Sequence, residues 1–321
     1  MSDIFAVSID DFSSNIKHQL PDVLRVVLSS PPSKSDVMLS ASWVQALGSA
    51  MVAYNTVDQT ASSEELLKVW KSVWNYLDST DAATRKATAQ SLCALSSCFS
   101  PALASAAILD QNESSIIRKI IFQITKALDS LAYARSIPEL LSITSSIITN
   151  LRHRDSKTSP TAAELLILPL IVKIGDLRIS KGFEHKEAAD ASLSTAMHII
   201  GPEPLLNALP LNLDPASRYG LNVVYLPAPP LTDSLVISMP NSEPRAFLLP
   251  LLAQPHPSSL SHFASYFVPL SERMFDLQQK AEIEGRQSEA KVWKVLVGQV
   301  WTGLAGYCSG PNLKQVCPRT Y

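Results

Sequence analysis

The chain has 321 residues, of which 46% are hydrophobic and 17% charged, enough to bury a sizeable core and too apolar for an intrinsically disordered chain. The charged share is below the average of about a quarter for soluble domains, so more of the surface than usual must be apolar, small or hydroxylic. The formal charge of -2 and the pI near 6.3 exclude a dedicated basic nucleic-acid module, whose pI exceeds about 9, and leave only a local basic patch open.

The N-terminus shows no export signal. Its first residues, MSDIFAVSIDD, carry acid where a signal peptide needs a basic start and a long apolar core. The longest uninterrupted apolar run, Leu165–Val172, is far shorter than the roughly 18 residues of a membrane helix. We therefore expect an intracellular, soluble protein without a membrane partner.

Apolar residues recur at intervals of three and four along the whole chain, which indicates amphipathic helices. Ser62 and Glu65 have capping-box spacing and are predicted to start one of them. Pro269 is expected to kink or split a late helix. Glycine is scarce and strand patterns are nearly absent, so the chain is predicted to be all-α. The predicted buried stripes are Leu66, Trp70, Val73, Trp74 and Leu77; Ile117, Ile120, Ile124 and Leu128; Leu140, Ile143, Ile147 and Leu151; Ala189, Leu193, Met197 and Ile200; Phe263, Phe267, Leu270, Met274 and Leu277; and Trp293, Leu296, Val300 and Leu304.

Short connections make successive helices antiparallel neighbours, in a bundle or a solenoid. The segment DSTDAATRKATAQSLCAL, Asp78–Leu95, favours the solenoid because it resembles the second helix of a HEAT repeat. In that resemblance Asp81 or Asp78 caps the helix or pairs near Arg85. The predicted fold class is an all-α, HEAT/armadillo-like helical-hairpin solenoid, an α-α superhelix.

The segment HIIGPEPLLNALPLNL, His198–Leu213, interrupts the helical pattern. Gly201 and Pro202 form a typical C-terminal helix stop, and Pro204 suits the first turn of a short helix that Pro210 closes. A solvated linker gives no reason for its many leucines, so we predict a packed corner between helix pairs rather than a mobile or catalytic loop. Those leucines are Leu205, Leu206, Leu209, Leu211 and Leu213.

The character of the chain changes after the corner. From Asp214 to Pro244 it is rich in proline and serine, without helical period and with only a weak strand-like run at Leu235–Ile237. We predict a disordered insertion over residues 214–243. So long a segment without structure is uncommon inside a compact array, which makes it either functional or an insertion.

The sequence lacks the motifs of common enzyme classes: a Gly-rich phosphate loop, a GxSxG elbow, an HExxH helix or paired CxxC motifs. Cys93 and Cys98 fall on different faces of one predicted helix, which is typical of core thiols rather than of a metal site. Together with Cys308 and Cys317 they are expected to be reduced. We therefore predict that the protein is not an enzyme and has no catalytic or metal site, no cofactor and no small-molecule substrate.

One basic cluster is a candidate for phosphate or RNA contact. It begins in NLRHRDSKTSP, Asn150–Pro160, at the end of one predicted helix, and continues at the end of the next. Turns on one edge of a solenoid line up, so the cluster could form a single ridge. The alternative is that Arg152 and Arg154 only complement the negative end of a helix. No aromatic residue is interleaved, so contact would be to the nucleic-acid backbone without sequence readout. The candidate residues are Arg152, Arg154, Lys157, Arg178 and Lys181.

Several stretches of the second half resemble one family. They are HIIGPEPLLNALPLNL, then PRAFLLPLL at Pro244–Leu252, LSHFASYFVPLSERMFDLQQKAEIEG at Leu260–Gly285, and EAKVWKVLVGQVWTGLAGYC, which ends at Cys308. Together they closely resemble the ribosomal RNA-processing protein 12 family of eukaryotic nucleolar HEAT-repeat proteins. The resemblance is strong from about Leu165 to Cys308 and diffuse before it.

The resemblance implies a non-catalytic scaffold of ribosome biogenesis in the nucleus and nucleolus. Such a scaffold binds RNA and assembly factors of pre-ribosomal particles and supports subunit maturation and nuclear export. The family architecture is related to that of nuclear transport receptors, so the alternative is a karyopherin-like adaptor that engages the Ran GTPase and nucleoporins. The family offers no catalytic residues to transfer.

Two departures from the family pattern shape the predicted domain organisation. Family members usually pass from LPLNL to RAFLLPLL more directly, so Asn222–Ser242 looks like a lineage-specific insertion or a translated intron. The pattern also breaks after Tyr307, which implies an N-terminal fragment of a longer protein. We predict HEAT-like repeats over 1–160, a family-typical region over 161–308 interrupted at 214–243, and an atypical tail over 309–321.

Overall fold

The computed structural model describes residues 14–110, 114–154, 156, 159–213 and 243–309, with side chains from residue 19 onward. These residues form α-helices joined by short turns, and no strand occurs among them, which confirms the all-α prediction. The α-helices of seven or more residues are α1 (Ser14–Ser29), α2 (Val37–Val57), α3 (Gln59–Trp74), α4 (Ala82–Ser96), α5 (Pro101–Leu109), α6 (Ile116–Leu128), α7 (Ile137–Asn150), α8 (Ala162–Ile179), α9 (Lys186–Ile199), α10 (Pro202–Ala208), α11 (Val268–Ile283) and α12 (Gln287–Cys308).

The chain divides into two compact units. Unit 1 comprises Met1–Ile174 and Glu184–Ile199, and unit 2 comprises Gly175–Phe183 and Ile200–Tyr321. Helix α8 therefore contributes its first part to unit 1 and its last part to unit 2. The domain boundary at residues 160 and 161, which came from the family resemblance, stays a prediction.

Alternate helices of unit 1 pack side by side. Helix α2 packs against α4, α4 against α7, and α7 against α9, while α3 lies against both α2 and α4. This alternation is the arrangement of stacked helical hairpins, in which each hairpin contacts its neighbours in the chain. In both units, every residue of the predicted stripes is buried except the half-buried Leu277, Leu296 and Leu304.

Serine hydroxyls lie between the neighbouring helices of this stack. Ser91 on α4 donates to the carbonyl oxygen of Val44 on α2 at 2.8 Å, and Ser192 on α9 donates to that of Leu141 on α7 at 2.9 Å. A Cβ atom at Gly48 would collide with the Ser91 hydroxyl. Part of the hydroxylic composition therefore serves close helix packing in the interior, and not only the surface.

Helix α2 has the length and apolar composition that a membrane span requires, and so does the bent pair α4 and α5 taken together. Protein surrounds 56% of the apolar window of α2. Core helices pass the same test of length and composition. We therefore interpret α2 as the central core helix of unit 1.

The start of α3 differs from the capping-box prediction. Asp58 is the N-cap, and its carboxylate accepts hydrogen bonds from the backbone amides of Thr60 and Ala61 at 3.1 and 2.9 Å. Ser62 lies inside the helix and donates to Asn55 Oδ1 at 3.0 Å. The capping-box prediction was therefore wrong by one turn, because an aspartate nearer the true end supplies the cap.

The aspartate and arginine of the HEAT-like segment have separate roles. Asp81 caps α4 by accepting from the amide of Thr84 at 2.6 Å, as predicted. Arg85 instead reaches α7, where its Nε lies 3.6 Å from Glu139 Oε1, and it also donates to the carbonyl oxygens of Ser79 and Thr80. The arginine thus links two successive hairpins of unit 1, while the aspartate only caps its helix.

The predicted corner in unit 2 is packed. Gly201 has a φ of +101°, which glycine adopts without strain, and α10 follows directly. Leu209 lies against the backbone of α8, because a Cβ atom at Gly175 would be 2.5 Å from Leu209 Cδ2. All the leucines predicted to seal the corner are at most 3% exposed, namely Leu205, Leu206, Leu209, Leu211 and Leu213.

Arg245 joins the two sequence motifs that flank the predicted insertion. Its backbone amide donates to the carbonyl oxygen of Leu211, and its guanidinium donates to that of Pro210 and to Asp176 Oδ1 at 2.9 Å. The side chain is buried. LPLNL and RAFLLPLL therefore form one packed junction. The insertion itself, predicted over 214–243, lies outside the described residues except for Glu243.

Candidate nucleic-acid interface

The turn between α7 and α8 is closed at its base by backbone hydrogen bonds. The amide of Ala162 donates to the carbonyl oxygen of His153 and that of Ala163 to Leu151, both at 2.9 Å. Thr161 Oγ1 accepts from the amide of Glu164 at 3.1 Å and so caps α8. The first amides of α8 are thus engaged within the protein, and any anion held by this turn would have to be bound by side chains.

The two arginines of this turn remain on its outer side. Arg152 is exposed and Arg154 half-buried, and neither forms an ion pair with another described residue. Both follow the C-terminus of α7, where a positive charge also complements the helix dipole. The two interpretations of these arginines are therefore compatible. Lys157, the third candidate in the turn, lies outside the described residues.

The remaining candidates belong to unit 2. The Arg178 guanidinium lies over the ring of Phe247, 4.7 Å from its centroid, and Lys181 is exposed just beyond the end of α8. The structure thus brings Arg178 near Phe247 within unit 2, whereas Arg152 and Arg154 belong to unit 1. The single-ridge hypothesis stays a prediction.

Phe247 is the residue that sequence reasoning missed. No aromatic residue is interleaved among the candidate basic residues of the sequence, yet the fold places this ring against Arg178. Phe247 also lines a cavity of about 430 Å³ on unit 2. Local sequence patterns could not predict this contact, because it joins α8 to a segment beyond the predicted insertion. The cavity is lined by Ala246, Phe247, Pro250, Lys291, Val292, Val295, Leu296 and Gln299.

The thiols of Cys93 and Cys98 in unit 1, and the pair of His262 and Tyr307 in unit 2, have the properties of packed side chains. Burial raises the pKa of Cys98 to about 11 and also raises that of Cys93, so both thiols stay protonated and unreactive near neutral pH. In unit 2, His262 Nδ1 lies 2.7 Å from the Tyr307 hydroxyl, and burial lowers the pKa of His262. Within the described ranges no three metal-binding side chains come together.

Comparison with known proteins gives a consistent family. The model of the HEAT repeats of ribosomal RNA-processing protein 12 matches residues 78–312. The match begins well before Leu165, so the family region is longer than the sequence motifs indicated. Since the matched repeats are HEAT repeats, the predicted helical-hairpin fold class is confirmed.

Individual relatives bear the same name. A putative ribosomal RNA-processing protein 12 of Schizosaccharomyces pombe is 29% identical over 282 residues, covering 87% of this chain and 21% of that protein. Ribosomal RNA-processing protein 12 of Saccharomyces cerevisiae is 23% identical over 90% of this chain and 22% of its own length. The human RRP12-like protein is 30% identical over 43% of this chain and 9% of its own. The chain thus spans about a fifth of the length of the yeast relatives.

Proposed function

The chain belongs to the ribosomal RNA-processing protein 12 family, and from this premise we propose that it is a non-catalytic scaffold of ribosome biogenesis. The family match over residues 78–312 is the observation that carries the proposal. The stacked hairpins of unit 1 agree with it, because such repeats offer extended surfaces for holding other molecules.

The proposed partners are pre-ribosomal particles, meaning their RNA and assembly factors, in the nucleus and nucleolus. The proposed roles are pre-ribosomal RNA processing, subunit assembly and nuclear export. The names of the relatives support the ribosomal part of this proposal, since they refer to ribosomal RNA processing. They give no support to an adaptor that engages the Ran GTPase or nucleoporins, and no observation on the described residues favours that alternative.

The scaffold proposal is tested by sedimentation. A tagged form of the chain expressed in its native cells should co-sediment with pre-ribosomal particles through a sucrose gradient. Pre-ribosomal RNA should be recovered with it after purification. Recovery only in the light fractions, without pre-ribosomal RNA or assembly factors, would contradict the proposal.

We further propose that Arg152 and Arg154 contact RNA phosphates. Arg152 is exposed and Arg154 half-buried at this closed turn, and the engaged amides of α8 leave the guanidinium groups as the available donors. Lys157, Arg178 and Lys181 are proposed as further contacts. The Arg178 pair with Phe247 adds an aromatic ring on which an unpaired base can stack.

Replacing Arg152 and Arg154 together with alanine should weaken binding of a single-stranded pre-ribosomal RNA transcript about tenfold, as measured by fluorescence anisotropy. The slope of log affinity against log salt should become shallower by about 1.4, because each lost phosphate contact on a single strand contributes about 0.7. Unfolding should not change, since neither arginine is paired in the core.

The matched control replaces Lys68 and Lys71 with alanine. Both lysines lie exposed on α3, and their replacement removes the same charge from another part of unit 1. This control should bind with the original salt slope to within about 0.3, less than half of one phosphate contact. Equal loss in both double variants would mean that only net charge matters, and no loss in either would retire the arginine interface.

A further inference from the structure

The turn between α7 and α8 carries serine hydroxyls as well as arginines. Ser159 is half-buried, and its hydroxyl lies 2.7 Å from that of the exposed Ser156. Its backbone amide donates to the carbonyl oxygen of Ser156 at 3.2 Å. Thr161, in contrast, is buried and caps α8. The Ser159 hydroxyl thus contacts an exposed side chain of its own turn, and its modification would leave the cap of α8 in place.

Ser159 is followed by the exposed Pro160. A proline biases the residue before it toward extended backbone, the form in which proline-directed protein kinases bind a substrate serine. The chain has three Ser–Pro dipeptides and no Thr–Pro dipeptide. In the other two, Ser30 is exposed just past α1, and Ser100 is buried as the N-cap of α5. Of the three serines, Ser159 is the one that shares a turn with two arginines.

The closed base of the turn joins the segment of Ser159 to that of Arg152 and Arg154. The amide of Ala162 donates to the carbonyl oxygen of His153 at 2.9 Å. His153 stands between the two arginines, and Ser159 stands three residues before Ala162. Neither arginine forms an ion pair with another described residue. Their guanidinium groups are therefore available to an anion that is attached to the same turn.

We propose that Ser159 is a phosphorylation site that switches off the RNA contacts of this turn, an inference that rests on the proposed arginine interface. In the modification, Ser159 Oγ forms a bond to the γ-phosphorus of ATP, and the bond from that phosphorus to the β,γ-bridging oxygen breaks. The hydroxyl proton passes to the catalytic base of a proline-directed protein kinase. The products are phosphoserine and ADP.

Phosphorylation changes the charge of the turn. Residues 152–159 include two arginines, one lysine and one aspartate, which give a formal charge of +2. A phosphoserine adds about −1.5 to −2 and three acceptor oxygens, so the turn becomes nearly neutral. Guanidinium groups bind phosphate oxygens through paired hydrogen bonds. A phosphate tethered to the turn has a high effective concentration there and occupies the arginines that RNA phosphates would otherwise contact.

The first measurement is modification of the full chain. Incubation with ATP and a purified proline-directed kinase, either mitogen-activated or cyclin-dependent, should place phosphate on Ser159, as located by mass spectrometry of proteolytic peptides. Ser100, the buried helix cap, should stay unmodified. Ser159→Ala should abolish modification of the turn and bind RNA as the original does. Absence of phosphate on Ser159 in reactions that fully modify a control Ser–Pro peptide would overturn the proposal.

The second measurement is RNA binding by the modified chain, in a Ser30→Ala background so that the exposed alternative serine carries no phosphate. Phosphorylation of Ser159 should weaken binding of the single-stranded pre-ribosomal RNA transcript about tenfold, the loss expected when both arginines are removed. The salt slope should become shallower by about 1.4. Ser159→Glu, which adds one charge, should weaken binding about threefold. The matched control Ser30→Glu adds that charge elsewhere in unit 1 and should leave binding unchanged.

Combining the modification with Arg152→Ala and Arg154→Ala separates the arginines from net charge. If the phosphate acts by occupying the arginines, phosphorylation of the double variant should weaken RNA binding by less than about twofold further. A further loss of threefold or more, or no loss on phosphorylation of the original, would overturn the switch and leave the arginine interface in place. No loss from the double variant itself would refute the interface, and the switch with it. Sedimentation with pre-ribosomal particles tests the scaffold proposal separately.

Discussion

Replacing Leu209 with alanine should lower the free energy of unfolding of unit 2 by about 3 kcal/mol. Leu209 is fully buried, and its side chain packs directly on the α8 backbone at Gly175. The truncation loses the transfer free energy of the removed carbons and leaves a cavity that two rigid helices cannot close. Urea denaturation followed by circular dichroism measures the change.

The matched control is Leu131→Ala, since Leu131 is 93% exposed. That substitution should change stability by no more than about 0.5 kcal/mol. A loss in the free energy of unfolding below about 1 kcal/mol for Leu209→Ala would show that the corner is loosely packed, which would contradict the structure. Such a result would contradict a sealed corner at this segment of unit 2.

The helices and their buried faces could be predicted because the periodicity that identifies an amphipathic helix is also what packs it. Ile117, Ile120 and Ile124 lie on one face of their helix, and that face is buried whichever element packs against it. The corner was predictable for a similar reason. Five leucines beside helix-stopping glycine and proline residues have no favourable place except an interior.

The contacts that join distant segments were not predictable. Arg178 meets Phe247, and Asp176 meets Arg245, across the whole predicted insertion. Sequence patterns of charged and aromatic residues reveal only contacts within a few helical turns, so they could not predict either pair. The ridge hypothesis assumes that successive turns align, and it stays a prediction because its residues belong to two compact units.

The junction at Arg245 gives the family motifs a physical basis. The arginine side chain donates to Pro210 in the LPLNL segment and to Asp176 on α8, so its replacement would leave both without this donor, while the backbone amide would still donate to Leu211. Residues 214–242, which lie outside the described residues, join the two motifs in the chain, and the predicted insertion there stays a prediction.

Gly306→Ala should destabilise unit 2 by roughly 3 kcal/mol, because the added methyl group meets backbone rather than flexible side chains. Its Cβ would collide with the carbonyl oxygen of Leu252 and lie 2.5 Å from that of Gln254. The turn Pro250–Ala253, which ends just before Gln254, would have to leave α12. Thermal and urea unfolding should both show the loss.

The same substitution at Gly298 is the matched control. It lies on the same helix, and no described residue would come within 4 Å of the new methyl group, so Gly298→Ala should raise the free energy of unfolding by up to about 1 kcal/mol. Opposite signs at the two glycines would establish that the inner face of α12 is filled and the outer face is open. If both substitutions were stabilising, the close approach of the Leu252 segment would be wrong. If both were destabilising, Gly298 would be serving a contact within the chain.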